Sequence, residues 1–320
     1  MGNTFIVNPS NSELQIAILE FEEKVKAELH PVAVGALTAE IGDRPAAPSL
    51  ATHSGYMLGR LCLASVAYGG RSEFGLVAYV VSKNHSLIVL RQSGTTESKG
   101  EVANDLSAIS TSASTGGVLV LDLLQSAVAR VSEQLKSIGT QLEDVRRVVR
   151  GIPELSQRRS SESLNDSQKQ IFLAEVELFN LIPLIKGLVE IGSDLAEDKL
   201  DLLDASGQEM FGPDLEISAS EISLQSRQLK IEAGSLTDGF KSVISDIQMQ
   251  HSDLQRRSNR YMSSIAVLVL EPIVLINLYS EFFAEGKIWS NSLTTNYPWV
   301  VVVLAELGLF AFLRSRKWLK

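Results

Sequence analysis

Apolar and polar residues follow different rhythms along this chain, and each rhythm predicts a different kind of element. Over residues 1–115 the pattern is mixed. Ser12–His30 carries Leu14, Ile18, Phe21, Val25 and Leu29 at helical spacing, with glutamates on the other face. β-prone runs broken by glycine and proline follow at Val32–Leu37, Tyr56–Tyr68 and Phe74–Val81. Lys83-Asn84-His85 then turns the chain into Ser86–Leu90, which predicts a hairpin. A small sheet flanked by helices is expected.

From Val118 the period changes. Leu121, Leu124, Val128, Val131, Leu135, Ile138, Leu142, Val145 and Val149 recur at alternating steps of three and four, the seam of a helix that packs along another helix. Gly151-Ile152-Pro153 ends it, and Ser156–Ser167 reads as a polar connection. A second helix is expected over about Gln168–Asp204, kinked or divided at Pro183 and acidic in its later part. Gly212-Pro213-Asp214 opens a third, with proline at the first helical position and an acid in the first turn. Its seam is Leu215, Ala219, Ile222, Ser226, Leu229, Ala233, Leu236, Phe240, Val243, Ile247, Gln250, Leu254, Arg257 and Tyr261. The next proline is Pro272, so one helix is expected from Pro213 to about Phe283, on the order of 100 Å long at 1.5 Å per residue. Such a helix is not stable alone and must pack on the two before it and on copies of itself. Polar residues in the seam at Gln250 and Arg257 suit a face that lines an aqueous path.

The chain closes on two apolar runs, Ile265–Tyr279 and Tyr297–Leu313. With Met262 and Phe282–Phe283 the first reaches about twenty residues, and the second has about seventeen, against a hydrocarbon core of about 30 Å. Together they predict a transmembrane hairpin. Arg256, Arg257 and Arg260 precede the first run and Arg314, Arg316, Lys317 and Lys320 follow the second, while the loop between offers Lys287 against Glu281 and Glu285. The positive-inside rule then puts both termini in the cytoplasm. The organisation expected is a cytoplasmic α/β domain over 1–115, antiparallel helices over 116–212, and a stalk helix continuing into the first span over 213–283. An extracytoplasmic loop over 284–296 and a second span with a basic tail over 297–320 complete it.

A net charge of −9 argues against nucleic acid as a partner, and the basic residues gather instead beside the apolar runs, where they suit anionic headgroups. The single cysteine, Cys62, excludes an intrachain disulfide and is expected to be a buried apolar residue. Met1–Ser10 shows no signal peptide, and Ile6 stands where a myristoylation signal wants Ser or Thr. There is no phosphate-binding glycine loop and no His-Glu-x-x-His, so the chain is not expected to be an enzyme.

An α/β domain, two antiparallel helices, a very long helix running into an apolar segment, and a second span ending in Arg316-Lys317-Trp318-Leu319 together resemble the CorA-type magnesium transporter family. The resemblance covers nearly the whole chain. It is best at Val77–Leu90, Asn259-Arg260-Tyr261-Met262, Pro272 in mid-span, Tyr279, and Tyr297-Pro298. It implies a funnel-shaped α+β body with a long helical stalk, two transmembrane helices per chain and a homopentamer in the inner membrane. First spans would surround the pore, and magnesium or another divalent cation would be the permeant and regulatory ion, with no covalent cofactor. The family's Tyr-Gly-Met-Asn-Phe hallmark is replaced here by Tyr279-Ser280-Glu281-Phe282-Phe283.

The resemblance and the spacing together nominate Asn259, Met262, Ala266, Leu270, Ile273 and Asn277 as pore-lining, with Ser280 and Glu281 at the entrance. Glu271 and Glu306 are intramembrane acids, each costing roughly 2.5–3.5 kcal/mol unless it meets protein or water. Glu271 reads either as a ring of carboxylates in the ion path or as a neutral acid hydrogen-bonded between subunits. Asp194, Glu197, Asp198 and Asp201 are candidate cytoplasmic metal ligands, or else a solvated helical face. The functional expectation is a passive divalent-cation channel gated by the cytoplasmic domain. The alternative is a membrane effector on the same scaffold answering a nucleotide or other small cytoplasmic regulator, and a third is a closed, non-conducting hairpin.

Overall fold

Strands β1 (Gly2–Val7), β2 (Ser49–His53), β3 (Tyr56–Val66), β4 (Ser72–Val81) and β5 (His85–Gln92) form one sheet in the order β1-β5-β4-β3-β2. β1 runs parallel to β5 and every other neighbouring pair is antiparallel. The computed structural model describes residues 2–40, 45–66, 72–92, 96–151, 157–197, 199–200, 209–282, 303–304, 307–308 and 311. The predicted loop over 284–296 and most of the second apolar run lie outside them.

Helices α1 (Asn11–Val25) and α2 (Pro31–Thr38) cover one face of the sheet, burying Leu14, Ile18, Phe21 and Leu37 against Leu58, Val80, Leu87 and Val89. Ser10 starts α1 with a capping box: its hydroxyl accepts from the Glu13 N–H at 3.4 Å, and its own N–H donates to the Glu13 carboxylate at 2.8 Å. α2 corrects the sequence expectation of a β-run at Val32–Leu37. Pro31 sits at the helix start, His30 caps it by accepting the Val32 N–H on Nδ1 at 3.3 Å, and Ala33 and Leu37 fall one turn apart on the buried side. Cap and burial together override the β-branched residues. Three further elements, β1, β2 and α3 (Thr96–Ser112), were not anticipated from the pattern; α3 lies against β1 on the opposite face.

That opposite face is closed by α3 and by α4 (Gly116–Gly151). Here β3 and β4 approach tightly: Gly59 is paired with Tyr79, and a Cβ at Gly59 would lie 2.0 Å from the Tyr79 ring. The Tyr79 hydroxyl is fully buried without a hydrogen-bond partner among the described residues, and burial pushes its pKa up. On the first face, burial likewise pushes the Cys62 thiol up to about 12, partly offset by a backbone hydrogen bond at Ala46.

All of the α4 seam from Leu121 to Val149 is buried. Each such side chain contributes roughly 1.5–3 kcal/mol when fully removed from water. α5 spans Gln157–Ala196, so it starts earlier than expected: the Ser/Arg-rich stretch read as a connection is its first turns. Its buried seam opens Ser160, Leu164, Ser167, Ile171, Ala174, Leu178, Leu181, and the two serines hide that periodicity from an apolar search. Phe172, Val176, Phe179 and Ile182 are exposed. Pro183 lies inside an unbroken α5 on its exposed side, so the lost hydrogen bond falls where water can replace it. At Gly192 the backbone of α5 meets that of α6 (Pro213–Phe282): an added Cβ would lie 3.0 Å from the Ser223 Cα. α6 is one helix of 70 residues, as its continuous seam predicts, and its backbone stays helical through position 272.

The chain forms two compact units, one of Met1–Gly151 with Asp166–Ile244 and the other of Ile152–Asn165 with Ser245–Lys320. Among the described residues no helix is long and apolar enough to cross a membrane. The runs read as spans rest in part on side chains outside that set, including Glu271, Pro272 and 278–282.

Gly59→Ala forces the Tyr79 ring out of its seat and is expected to cost about 1–3 kcal/mol, seen as a lowered unfolding temperature of the full chain. Tyr79→Phe removes a buried, unpaired hydroxyl and is expected to hold or raise that temperature. The opposite order of the two variants would contradict this packing.

Candidate functional site

The C-terminal third of α6 carries the candidate pore residues. At about 100° per residue on a regular helix, Asn259, Met262, Ala266, Leu270, Ile273 and Asn277 fall within an arc of about 80°. All are exposed, including the large apolar side chains of Met262 (69%), Leu270 (57%) and Ile273 (51%). Apolar exposure of that extent marks a surface that a single chain leaves uncovered. By register Ser280 and Glu281 fall near the same arc, although their side chains lie outside the described residues. Since the helix runs unbroken through position 272, the Glu271 position is about 120° from that of Asn277. The Glu271 side chain and all of Glu306 are outside the described residues.

The arc also extends toward the N-terminus beyond what the sequence reading nominated. Ser263, Gln255, Ser252, Gln248 and Ser245 continue it at steps of three, four and eight, every one exposed and uncharged. This face was missed because the reading followed the apolar seam on the other side of the helix, through Ile247, Leu254 and Tyr261. The missed signal is a polar seam: hydroxyls and amides keep the spacing that apolar residues keep elsewhere. The resulting stripe passes from neutral hydrogen-bonding groups (Ser245–Ser263) to apolar groups (Ala266–Ile273) and back to an amide at Asn277. Such a surface offers water and hydrated ions oxygen partners at both ends and none in the middle.

The acidic candidates sit elsewhere. Asp194 lies near the C-terminal end of α5 and Glu197 just past it, and Lys199 reaches both: its ammonium is 3.6 Å from Asp194 and 2.6 Å from Glu197. Ser193 also donates to Glu197 at 3.1 Å. The hydrogen bonds from Lys199 and Ser193 hold the Glu197 carboxyl below its ordinary pKa, and the Glu197 bond raises that of Lys199. Asp198 and Asp201 lie outside the described residues, and among those described no group of three metal-ligating side chains converges. A lysine occupies the position between the two described acids that a cation would take.

No family profile matches the sequence, and no curated protein matches it. Solved structures do. The structure of the full-length CmaX protein matches with a TM-score of 0.67 at 15% identity, covering 98% of this chain and 88% of that one. The complete structure of the CorA magnesium transporter from Methanocaldococcus jannaschii matches with a TM-score of 0.60 at 12% identity, covering 96% and 87%. The soluble domain of CorA from the same organism matches at 0.53 and 11%, covering 75% and 85%. At these identities the likeness establishes the fold, and the fold is CorA-like.

Removing the Lys199 ammonium is expected to return Glu197 toward its ordinary titration. Because the folded pKa is depressed, the ion pair is formed at neutral pH and lost as pH falls through the lowered value. NMR titration of the Glu197 carboxyl in Lys199→Ala should show the upward move, and an unmoved midpoint would rule out Lys199 as the cause.

Proposed function

We propose that this chain, carrying a CorA-like fold along its length, is a passive membrane channel for divalent cations, magnesium or a related metal. The observation that carries the proposal is the exposed stripe on α6, which changes from neutral polar to apolar to amide in a single helical register. Five copies of α6 around an axis would turn this stripe into a pore wall, and the homopentamer is the assembly the resemblance implies. The apolar runs would hold the hairpin in the inner membrane with both termini cytoplasmic, where the flanking arginines and lysines favour that orientation.

Magnesium gives up its water reluctantly, so a path for it needs oxygen partners for the hydration shell rather than a cage of direct ligands. Ser245, Gln248, Ser252, Gln255 and Asn259 supply such partners on the cytoplasmic side. The apolar belt at Ala266, Leu270 and Ile273 is the natural constriction, since a narrow apolar ring resists wetting. Asn277 and Ser280 then rehydrate the path, and a ring of Glu281 carboxylates at the outer mouth would concentrate cations and turn away anions. In the register of the family's hallmark Glu281 stands one place before the asparagine, and it would bring charge to the entrance. Concentration and membrane potential would drive the flux, and the α+β unit would gate it.

Liposome flux of magnesium, zinc, cobalt and monovalent ions tests the reading. Divalent uptake is expected, reduced several-fold by Glu281→Gln, and the detergent-solubilised mass should be that of an oligomer of the 34.9 kDa chain. Absence of flux for every ion would remove the channel. Unchanged uptake in Glu281→Gln would remove only the charged entrance.

A further inference from the structure

Just before its exposed apolar stretch, α6 carries Arg256, Arg257 and Arg260, all three exposed. None of their guanidinium groups has a hydrogen-bond or ion-pair partner among the described residues. On a regular helix Arg256, Arg257 and Arg260 stand about 60°, 160° and 100° from Asn259, all to one flank of the conduction stripe. The acid facing the same flank is Asp253, also exposed, so the group keeps an excess of positive charge. Exposed Ile265 and Val267 follow within two turns of Arg260.

We propose that Arg256, Arg257 and Arg260 form a binding site for the phosphates of anionic phospholipid headgroups, on the flank of α6 beside the ion path. The site rests on the membrane reading given above. Charge and depth both favour the headgroup as occupant. Arg260 lies about 7.5 Å along the axis from Ile265, close to the thickness of one headgroup layer. Guanidinium forks match phosphate oxygens in pairs, and they do so best where no carboxylate already engages them. An ion path for cations, by contrast, would be opposed by a ring of five arginines; the register sets Arg257 and Arg260 off that path, against the expectation that Arg257 lines it, and leaves Arg256 at its edge. Each arginine near an anionic leaflet adds about fivefold to partitioning, so the three together are worth roughly a hundredfold.

The test uses the full chain with phosphatidylglycerol or phosphatidylcholine in nanodiscs, with bound lipid read by native mass spectrometry. The triple variant Arg256→Gln, Arg257→Gln, Arg260→Gln is expected to lose roughly a hundredfold in phosphatidylglycerol affinity, and each single variant about fivefold. Arg314→Gln with Arg316→Gln in the tail should change it little, and the triple Arg→Lys variant should recover most of it. Single variants keep the test decisive if the triple does not fold. Retention of phosphatidylglycerol by every α6 variant, or its loss in the tail variant alone, would overturn the site. Equal competition by millimolar inorganic phosphate would overturn it too, revealing a free-anion site. Flotation with neutral vesicles reports separately on the membrane reading: a chain that floats but shows no phosphatidylglycerol preference loses only the lipid site.

Discussion

The fold depends on one repeated contact: apolar side chains spaced three and four apart, buried along the facing sides of long helices. The α4 seam from Leu121 to Val149 and the α6 seam from Ala219 to Ile247 are made this way, and the sheet rests on the start of α4. Long helices have little stability of their own, so this shared burial is what makes a helix of 70 residues a persistent element. It also decides which side of α6 is left over. The side opposite the seam is where the exposed stripe lies, because a helix that spends one face on its own subunit has the other face free for water, lipid or another copy.

Where apolar spacing was regular, the sequence was legible almost to the residue. The limits of α4 follow from glycine at both ends, and the start of α6 follows from Gly212-Pro213, with uninterrupted seams after them. Legibility failed where polar residues were buried or apolar ones were capped into helix. The start of α5 was hidden by Ser160 and Ser167, small enough to be packed in a seam without a large penalty. α2 was hidden by Val32 and Val34, whose β preference lost to the His30 cap and the burial of Ala33 and Leu37. β1 gave no signal because a short strand is fixed by its parallel partner β5, which is distant in sequence.

The candidate site was legible in half. The apolar part of the stripe could be read from spacing and resemblance, but its neutral polar extension could not, because serine and glutamine on an exposed helix face look like ordinary solvated surface. The seam on the other side of the helix, buried at Ile247 and half-buried at Leu254 and Tyr261, marks Ser245–Ser263 as a directed surface. The acidic stretch after Glu190 taught the reverse lesson. Composition alone suggested a cation site, whereas Lys199 neutralises its described members from within the same turn.

The near-contact of Gly192 with Ser223 governs how these helices can move. Two helices whose backbones touch at a side-chain-free seat are pinned there: sliding one past the other by a turn would drive Leu188 or Leu195 into a space that holds no side chain. α5 and the first half of α6 therefore travel as a single lever, and any signal they carry must arrive as tilt or rotation of the pair rather than as a shift in their register.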